Sequence, residues 1–221
     1  MSHTARDYFD QIKLRSDKWE LYFDVYEKYF KQFKNNSPTF VEVGVQCGGS
    51  IEAWVKYFGE NSKIYGVDIN PLVEHIDGAE IVVGDQNDPL FWYNFAYRVG
   101  DIDCFLDDGS HMFEHQINTF NYVWPHIKPN GVYICEDTCT SYWKTFGGKM
   151  NAPNSFIEYA KKLVDYIHIE HLDEKDLFFC DKYLLELTKD LGEIHFYNSQ
   201  VVFVKNKPEF KRIIFNDNWA K

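Results

Sequence analysis

The sequence predicts an α/β fold: a doubly wound, mostly parallel sheet of seven strands with an antiparallel C-terminal hairpin and an N-terminal helical cap. Three observations predict it. From residue 39 onward, short apolar runs alternate with helix-like stretches, a pattern typical of parallel strands joined by helices. The last two apolar runs are separated by only three residues, which suits a hairpin. The first 34 residues contain aromatic and charged residues but no Gly or Pro.

The elements follow in chain order. Residues 7–34 predict one or two amphipathic helices that end at the turn formed by residues 35–38, so we expect residues 1–38 to cap a main domain of residues 39–221. Five apolar runs predict the parallel strands: residues 40–43, 64–67, 81–83, 104–106 and 132–135. Helices are predicted at residues 50–58, 89–99, 112–127 and 154–167. The hairpin strands are residues 194–197 and 201–204.

Composition limits the possible classes of protein. The 221 residues include 45% hydrophobic residues, enough for one substantial core without disulfides, and the five cysteines are an odd number. A formal charge of -11 would repel a phosphate backbone, so we expect no nucleic-acid partner. The chain has no leader-like apolar region at its start and no apolar run near the ~18 residues that span a bilayer. We therefore expect a soluble, cytoplasmic protein without a membrane partner.

Acidic residues follow two neighbouring strands of the predicted sheet. The stretch Asp107-Asp108-Gly109-Ser110-His111 ends one apolar run, and Glu136-Asp137 ends the next. In open α/β sheets, ligands bind at the carboxyl ends of the strands. Carboxylates and an imidazole at one point are the components of a metal and base site, and an oxygen-rich set suits Mg²⁺ or Mn²⁺. Side chains of adjacent strand residues point to opposite faces, so we assign Asp108 to the metal and Asp107 to the cofactor side or to structure.

The first strand-to-helix turn predicts a nucleoside site. Its glycines allow a sharp turn and close approach of a ligand to the backbone, although Gln46 breaks the dinucleotide pattern G-x-G-x-x-G. An acid at the end of the second strand, Asp68, can accept both ribose hydroxyls, and Asp85 after the third strand can meet the adenine edge. Each of these residues alone could be an ordinary turn or helix cap. The predicted contacts on or near this turn are Glu42, Gly44, Gly48, Gly49 and Ser50.

These motifs together resemble the class I S-adenosylmethionine-dependent methyltransferases. More narrowly, the chain resembles the metal-dependent sugar O-methyltransferases of macrolide biosynthesis, whose relatives are often labelled cephalosporin hydroxylases. The resemblance covers about residues 39–205 and rests on seven stretches: residues 41–50, 65–71, 84–86, 107–111, 136–137, 140–143 and 194–199. It implies a Rossmann-like fold, S-adenosylmethionine and Mg²⁺ or Mn²⁺ as cofactors, and a sugar-containing small molecule as substrate. Non-haem iron chemistry is disfavoured, because that centre needs two histidines and one carboxylate.

The resemblance also implies roles for individual residues. Asp108, Glu136 and Asp137 align with the magnesium ligands of the family, and His111 aligns with its general base. The unperturbed pKa of a histidine, ~6.5, suits the removal of a proton from a hydroxyl near neutral pH. Ser110 could instead be the cap of the following helix.

Several roles stay open at this stage. His115 lies one helical turn after His111 and could orient the substrate or be structural. Tyr142 and Trp143 could stack on a sugar ring or pack against the cap. The alternative functions are a methyltransferase acting on a catechol, phenol or phosphorylated small molecule, and a SAM-binding domain without turnover. Members of the family often form oligomers through their N-terminal segments, so a homo-oligomer is possible.

Overall fold

A computed structural model of the chain describes residues 3–206, and within them seven strands form one sheet in the order β3-β2-β1-β4-β5-β7-β6. The strands are β1 (Thr39–Val43), β2 (Lys63–Asp68), β3 (Ala79–Val83), β4 (Ile102–Asp107), β5 (Ile127–Cys135), β6 (Glu193–Tyr197) and β7 (Gln200–Val204). Strands β1 to β5 pair in parallel, while β7 is antiparallel to both β5 and β6. The predicted fold class and C-terminal hairpin are confirmed.

Eight α-helices accompany the sheet within the described residues: α1 (Ala5–Phe9), α2 (Tyr22–Phe30), α3 (Gly49–Phe58), α4 (Pro89–Val99), α5 (Phe113–Val123), α6 (Phe156–Ile167), α7 (Glu174–Phe179) and α8 (Lys182–Leu187). Alternate residues of the strands supply two separate cores. One core joins α1, α2 and α3 to one face of the sheet, and the other joins α4, α5, α6 and α8 to the opposite face. The sheet is therefore covered on both sides, as a doubly wound fold requires.

The strand order reverses between β1 and β4, and the carboxyl ends of these strands are level. Val43 of β1 pairs with Asp107 of β4, which in turn pairs with Cys135 of β5. The loops that follow the three strands therefore begin side by side. A crevice at such a reversal is where α/β sheets bind their ligands.

Several element boundaries differ from the prediction by a few residues, and two of these differences have a clear physical reason. The helix predicted over residues 112–127 ends as α5 at Val123 and continues as a 3₁₀ turn, because Pro125 has no N–H to donate and its ring clashes with the preceding turn. The hairpin loop is two residues long instead of three, because Gln200 already pairs with Tyr197.

The N-terminal segment forms two helices, α1 and α2, joined by residues 10–21, which are not helical. Phe9, Tyr26 and Phe30 pack in the same core as Phe40 and Trp54. The division into a cap (1–38) and a main domain (39–221) stays a prediction, and residues 207–221 of that range lie outside the described residues. None of the helices seen in residues 3–206 is long and apolar enough to cross a membrane.

Candidate active site

The crevice is closed at its base by Gly44, which follows β1. A Cβ atom at this position would lie 1.9 Å from the carbonyl oxygen of Asp108, the residue after β4. Gly44 also has φ = +100°, a conformation that a side chain disfavours. Glycine is therefore required here, and it lets the loop after β1 contact the acidic loop after β4.

Replacing Gly44 with Ala should destabilise the protein by about 3 kcal/mol, the sum of left-handed backbone strain and overpacking against a carbonyl group. Urea unfolding measures the loss. Gly147→Ala is the matched control, since Gly147 also has positive φ (+78°) but a Cβ there would meet nothing within 4 Å. The control should lose about 1 kcal/mol. Equal losses for both variants would show that the contact with Asp108 contributes nothing.

Asp107 and Asp108 point in different directions, as the strand alternation predicts. Asp107 is 1% exposed, and its carboxylate accepts hydrogen bonds from the hydroxyl of Tyr133 (2.8 Å) and the amide of Gln86 (3.2 Å). Burial raises the pKa of Asp107 to about 7. Of the two roles expected for Asp107, these bonds favour structure over the cofactor contact, because both partners belong to the interior of the sheet and of the loop after β3.

Asp108 faces the crevice and belongs to a cluster of four carboxylates with Glu42, Glu136 and Asp137. Lys18, from the N-terminal segment, reaches into this cluster. Its Nζ atom donates to Asp108 Oδ2 (2.6 Å), Glu136 Oε2 (2.8 Å) and Glu42 Oε1 (3.0 Å). The Lys18 side chain is only 3% exposed. Burial alone would lower the pKa of Lys18, but the surrounding carboxylates raise it, so the side chain is an ammonium with all three N–H groups bonded.

Glu136 is more constrained than the sequence suggested. It is fully buried and accepts hydrogen bonds from the hydroxyl of Tyr26, from Gln200 Nε2 (3.0 Å) and from Lys18. Burial raises the pKa of Glu136 to about 7, as it does for Asp108. A carboxylate has about four acceptor sites, so one site of Glu136 remains for a further partner.

The donor atoms best placed for a cation come from three residues. These residues are Asp108, His111 and Asp137, and one donor atom of each lies within 4.8 Å of the donor atoms of the other two. The group contains two of the three predicted metal ligands and the predicted base. Asp137 is also held by the hydroxyl of Tyr22, which donates to Oδ1 (2.6 Å). The opposite oxygen, Oδ2, lies 3.5 Å from His111 Nε2.

His111 is held at the mouth of the crevice. Thr140 Oγ1 donates to its carbonyl oxygen (3.0 Å). Burial lowers the pKa of His111, which favours the neutral imidazole. Its Nδ1 atom is buried and has no hydrogen-bond partner among the described residues. A buried nitrogen without a partner is costly, so this site fits a bound ligand or ion that completes it.

The backbone is strained at the same place. Gln46, His111 and Asp137 have φ values of +47°, +57° and +49°. Non-glycine residues adopt this left-handed region rarely, and such residues cluster at functional sites. The three loops after β1, β4 and β5 each contribute one of them.

Two cavities border the glycine turn. The first, about 350 Å³, is lined by Gly44, Ser50, Asp68, the cation group described above and residues 15–18. The second, about 230 Å³, is lined by Asp68, Asp85, Gln86 and His115. Asp68 lines both cavities and also supports the turn, because its Oδ2 atom accepts from the N–H groups of Val45 and Gln46 (both 2.9 Å).

Other residues predicted at the glycine turn face the protein. Glu42 is fully buried and bonds Lys18 and Ser50 (2.8 Å to Ser50 Oγ). A Cβ at Gly48 would meet the side chains of Ile76 and Val73, and one at Gly49 would meet the carbonyl of Arg15. These positions keep the turn compact, whereas Gly44 and Ser50 line the first cavity.

The residues expected to touch the substrate are separated. His115 Nδ1 lies 2.8 Å from Ser110 Oγ and lines the second cavity, on the Asp85 side. Tyr142 and Trp143 are 52% and 48% exposed and follow β5. Tyr142 lines a third cavity with Phe196, and Trp143 lies against Phe146.

Sequence reasoning missed Lys18, Tyr22 and Tyr26, which donate hydrogen bonds to the carboxylate cluster. Each lies 90 or more positions from the acids it contacts at the ends of β4 and β5. Two tyrosines four positions apart lie on one face of a helix, but that spacing equally predicts core packing. No local pattern identified their partners.

Part of the chain is similar to known methyltransferases. Residues 41–138 match the family model of a methyltransferase domain. The chain is 37% identical over 164 residues to 8-demethyl-8-alpha-L-rhamnosyl tetracenomycin-C 2'-O-methyltransferase of Streptomyces olivaceus, covering 69% of this chain and 43% of that protein. It is 36% identical over 161 residues to demethylmacrocin O-methyltransferase of Streptomyces fradiae, covering 67% and 40%. The chain thus spans less than half of the length of these relatives.

A solved structure has a similar fold. The fold matches the MycE methyltransferase of the mycinamycin biosynthetic pathway, solved with Mg, SAH and mycinamycin VI, with a TM-score of 0.76 and 28% identity. The match covers 87% of this chain and 50% of MycE. Residues 41–138 therefore match a methyltransferase domain, and the chain has a class I methyltransferase fold that is similar to MycE and to the O-methyltransferases named above.

Proposed function

We propose that the protein is an S-adenosylmethionine-dependent, Mg²⁺-assisted O-methyltransferase that acts on a sugar hydroxyl of a nucleotide sugar, a glycan or a glycosylated metabolite. One observation carries the proposal: Asp108, His111 and Asp137 converge at the mouth of a cavity that runs to Asp68. One crevice thus contains carboxylates that can bind an ion, a neutral imidazole that can accept a proton, and a glycine turn that can bind a nucleoside.

The two cavities suit the two ends of the methyl donor. Asp68 and Asp85 line the second cavity, where they offer carboxylate oxygens to ribose hydroxyls and to the adenine edge. The first cavity continues from Asp68 to Asp108 and His111. A donor that lies across both would present its methyl group near the carboxylate cluster.

The carboxylates fit a hard divalent ion. Asp108 and Asp137 would hold Mg²⁺ or Mn²⁺, with Glu136 as a third ligand through its remaining acceptor site. A bound ion of this kind lowers the pKa of a hydroxyl and fixes its direction. Lys18 and Tyr22, which contact the cluster, orient the acids by donating hydrogen bonds to Asp108 and Asp137.

His111 would accept the proton. The oxygen of the acceptor hydroxyl forms a bond with the methyl carbon, the carbon–sulfur bond of the sulfonium breaks, and S-adenosylhomocysteine leaves. The hydroxyl proton passes to the imidazole, whose neutral form is favoured by burial. Alignment of the reacting atoms by the crevice supplies much of the acceleration.

The named relatives support a sugar as the acceptor. Those from Streptomyces olivaceus and Streptomyces fradiae are O-methyltransferases of rhamnosyl tetracenomycin and demethylmacrocin, and MycE was solved with mycinamycin VI. The intact set of Asp108, His111 and Asp137 argues against a domain without turnover. We include in the proposal a cytoplasmic location, where nucleotide sugars occur, and a homo-oligomer, which light scattering would test.

An acceptor screen tests the function. The protein is incubated with labelled S-adenosylmethionine and Mg²⁺ against panels of nucleotide sugars, glycosylated metabolites, catechols and phosphorylated small molecules, and each labelled product is identified by mass. We expect label on a sugar oxygen. If only catechols or phosphorylated compounds were labelled, the proposed sugar acceptor would be wrong. If the donor bound but no product formed, the result would favour a non-catalytic domain.

Replacing Asp68 with Ala should weaken binding of S-adenosylhomocysteine by roughly 1 to 3 kcal/mol, the scale of a charged hydrogen bond left unmade. Calorimetry measures the affinity. Asp68 also supports the glycine turn, so urea unfolding of the same variant shows how much stability is lost. Asp77→Ala, at an exposed acid outside both cavities, is the control. Equal affinity of Asp68→Ala and the parent would remove the ribose role of Asp68.

A further inference from the structure

Residues 13–19, called here the N-terminal strap, cross the carboxyl edge of the sheet beside the glycine turn. The backbone N–H groups of Lys13 and Leu14 donate to Glu52 Oε2 (2.8 and 3.1 Å). The N–H of Gly49, the first residue of α3, donates to the carbonyl oxygen of Arg15 (3.2 Å). The strap is thereby bonded to the start of the helix that follows the turn.

Lys18 anchors the other end of the strap. Its ammonium donates one hydrogen bond each to Glu42, Asp108 and Glu136, from a side chain that is 3% exposed. Removal of one partner from a buried ion pair is strongly destabilising, so this contact fixes the strap in place. Residues 15–18, between the two anchors, form one wall of the first cavity.

The charged residues that line the first cavity indicate which part of the methyl donor would bind at the strap. Asp17, Asp68, Asp108 and Asp137 make the lining acidic. A ligand carboxylate there needs a cation, and the three N–H groups of Lys18 are all taken. The Arg15 side chain is 72% exposed, and within residues 3–206 it bonds only Asp17, through Nη2 (2.8 Å). Among the described lining residues, Arg15 is thus the permanently cationic side chain with free donors, and a guanidinium can bond a carboxylate with two of them.

The arrangement of the cavities fixes the direction. They share Gly44, Asp68 and Gly109, and the proposed ribose and adenine contacts lie on the Asp85 side. The amino-acid end of the donor then extends away from Asp85, toward the strap. We propose that the strap binds this amino-acid end: Arg15 bonds its carboxylate, Asp17 pairs with its ammonium, and Lys18 is the positioning residue that holds both in place. The inference rests on the proposed function.

Two ligands separate the strap from the rest of the site. S-adenosylhomocysteine carries the amino-acid end, whereas 5′-methylthioadenosine has the same adenosine and thioether but lacks that end. Calorimetry on the parent chain and on Arg15→Met should give about tenfold weaker binding of S-adenosylhomocysteine to the variant. The affinity for 5′-methylthioadenosine should be unchanged, because adenosine contacts lie at Asp68 and Asp85. Lys13→Met, an exposed lysine of the same strap outside the cavity, should change neither affinity.

Lys18→Met and Lys18→Arg test the anchor. The first should weaken S-adenosylhomocysteine binding at least as much as Arg15→Met does, and the second should recover part of it, since arginine keeps the charge. Should Lys18→Met fail to fold, Arg15→Met decides alone. If Arg15→Met left both affinities unchanged or weakened both equally, the strap assignment would be wrong. If the parent chain bound neither ligand, the proposed function itself would fail.

Discussion

Replacing Asp108 with Asn is expected to weaken Mn²⁺ binding by more than about 100-fold and to abolish methyl transfer. Loss of a residue that only hydrogen-bonds a metal ligand typically weakens metal binding by about 10-fold to 100-fold, so a larger loss indicates a direct ligand. The amide is neutral, and only one of its two polar atoms can accept. Mn²⁺ titration followed by electron paramagnetic resonance gives the affinity, and calorimetry with S-adenosylhomocysteine should show that the donor site survives.

Asp107→Asn is the matched control, because it makes the same chemical change one residue earlier. Asp107 faces Tyr133 and Gln86 in the interior, so its variant should lose stability in urea but retain Mn²⁺ affinity. Parent-like Mn²⁺ affinity in Asp108→Asn, or full turnover of the parent in excess EDTA after dialysis, would refute the metal-assisted mechanism.

Replacing His111 with Ala should lower kcat by ~10²-fold to 10⁴-fold while the affinities for S-adenosylhomocysteine and Mn²⁺ stay nearly unchanged. The lost interaction, proton acceptance, belongs to the transition state. His75→Ala is the control, because His75 is an exposed histidine that lies outside both cavities and should change neither rate nor affinity.

The Mn²⁺ affinity of the His111 variant also separates two possible roles of the imidazole. His111 Nε2 lies 3.5 Å from Asp137 Oδ2, close enough for the imidazole to join the ligands of an ion at Asp108 and Asp137. A base should leave Mn²⁺ binding intact, whereas a ligand should lose affinity and rate together. The second result would mean that another group accepts the proton.

The fold could be predicted from the sequence because its signals are local. Apolar runs and the helices between them gave the order of elements, and in a parallel sheet that order brings the carboxyl ends of strands to one edge. The same reasoning identified Asp108, His111 and Asp137, which the structure places together. Strand alternation also separated Asp107 from Asp108, since neighbouring side chains lie on opposite faces.

The rest of the site depends on contacts between distant parts of the chain. Lys18 bonds Asp108 and Glu136, which follow it by 90 and 118 residues, and nothing in the sequence around Lys18 indicates a buried ammonium. Gly48 and Gly49 were predicted to approach a ligand, but the space beside them is filled by Ile76 and by the backbone of Arg15. A glycine-rich turn in the sequence does not show whether a ligand or another part of the protein fills the space beside each glycine.

The long separation between Lys18 and its partners has a consequence for the order of events during synthesis. The ribosome delivers the ammonium first, and β4 and β5, whose ends carry Asp108 and Glu136, follow much later. Until then Lys18 has only Glu42 of its three carboxylate partners, although Lys13 and Leu14 can already bond Glu52. We therefore expect the Lys18 end of the strap to dock last, and to stay accessible to proteases until β5 has left the exit tunnel.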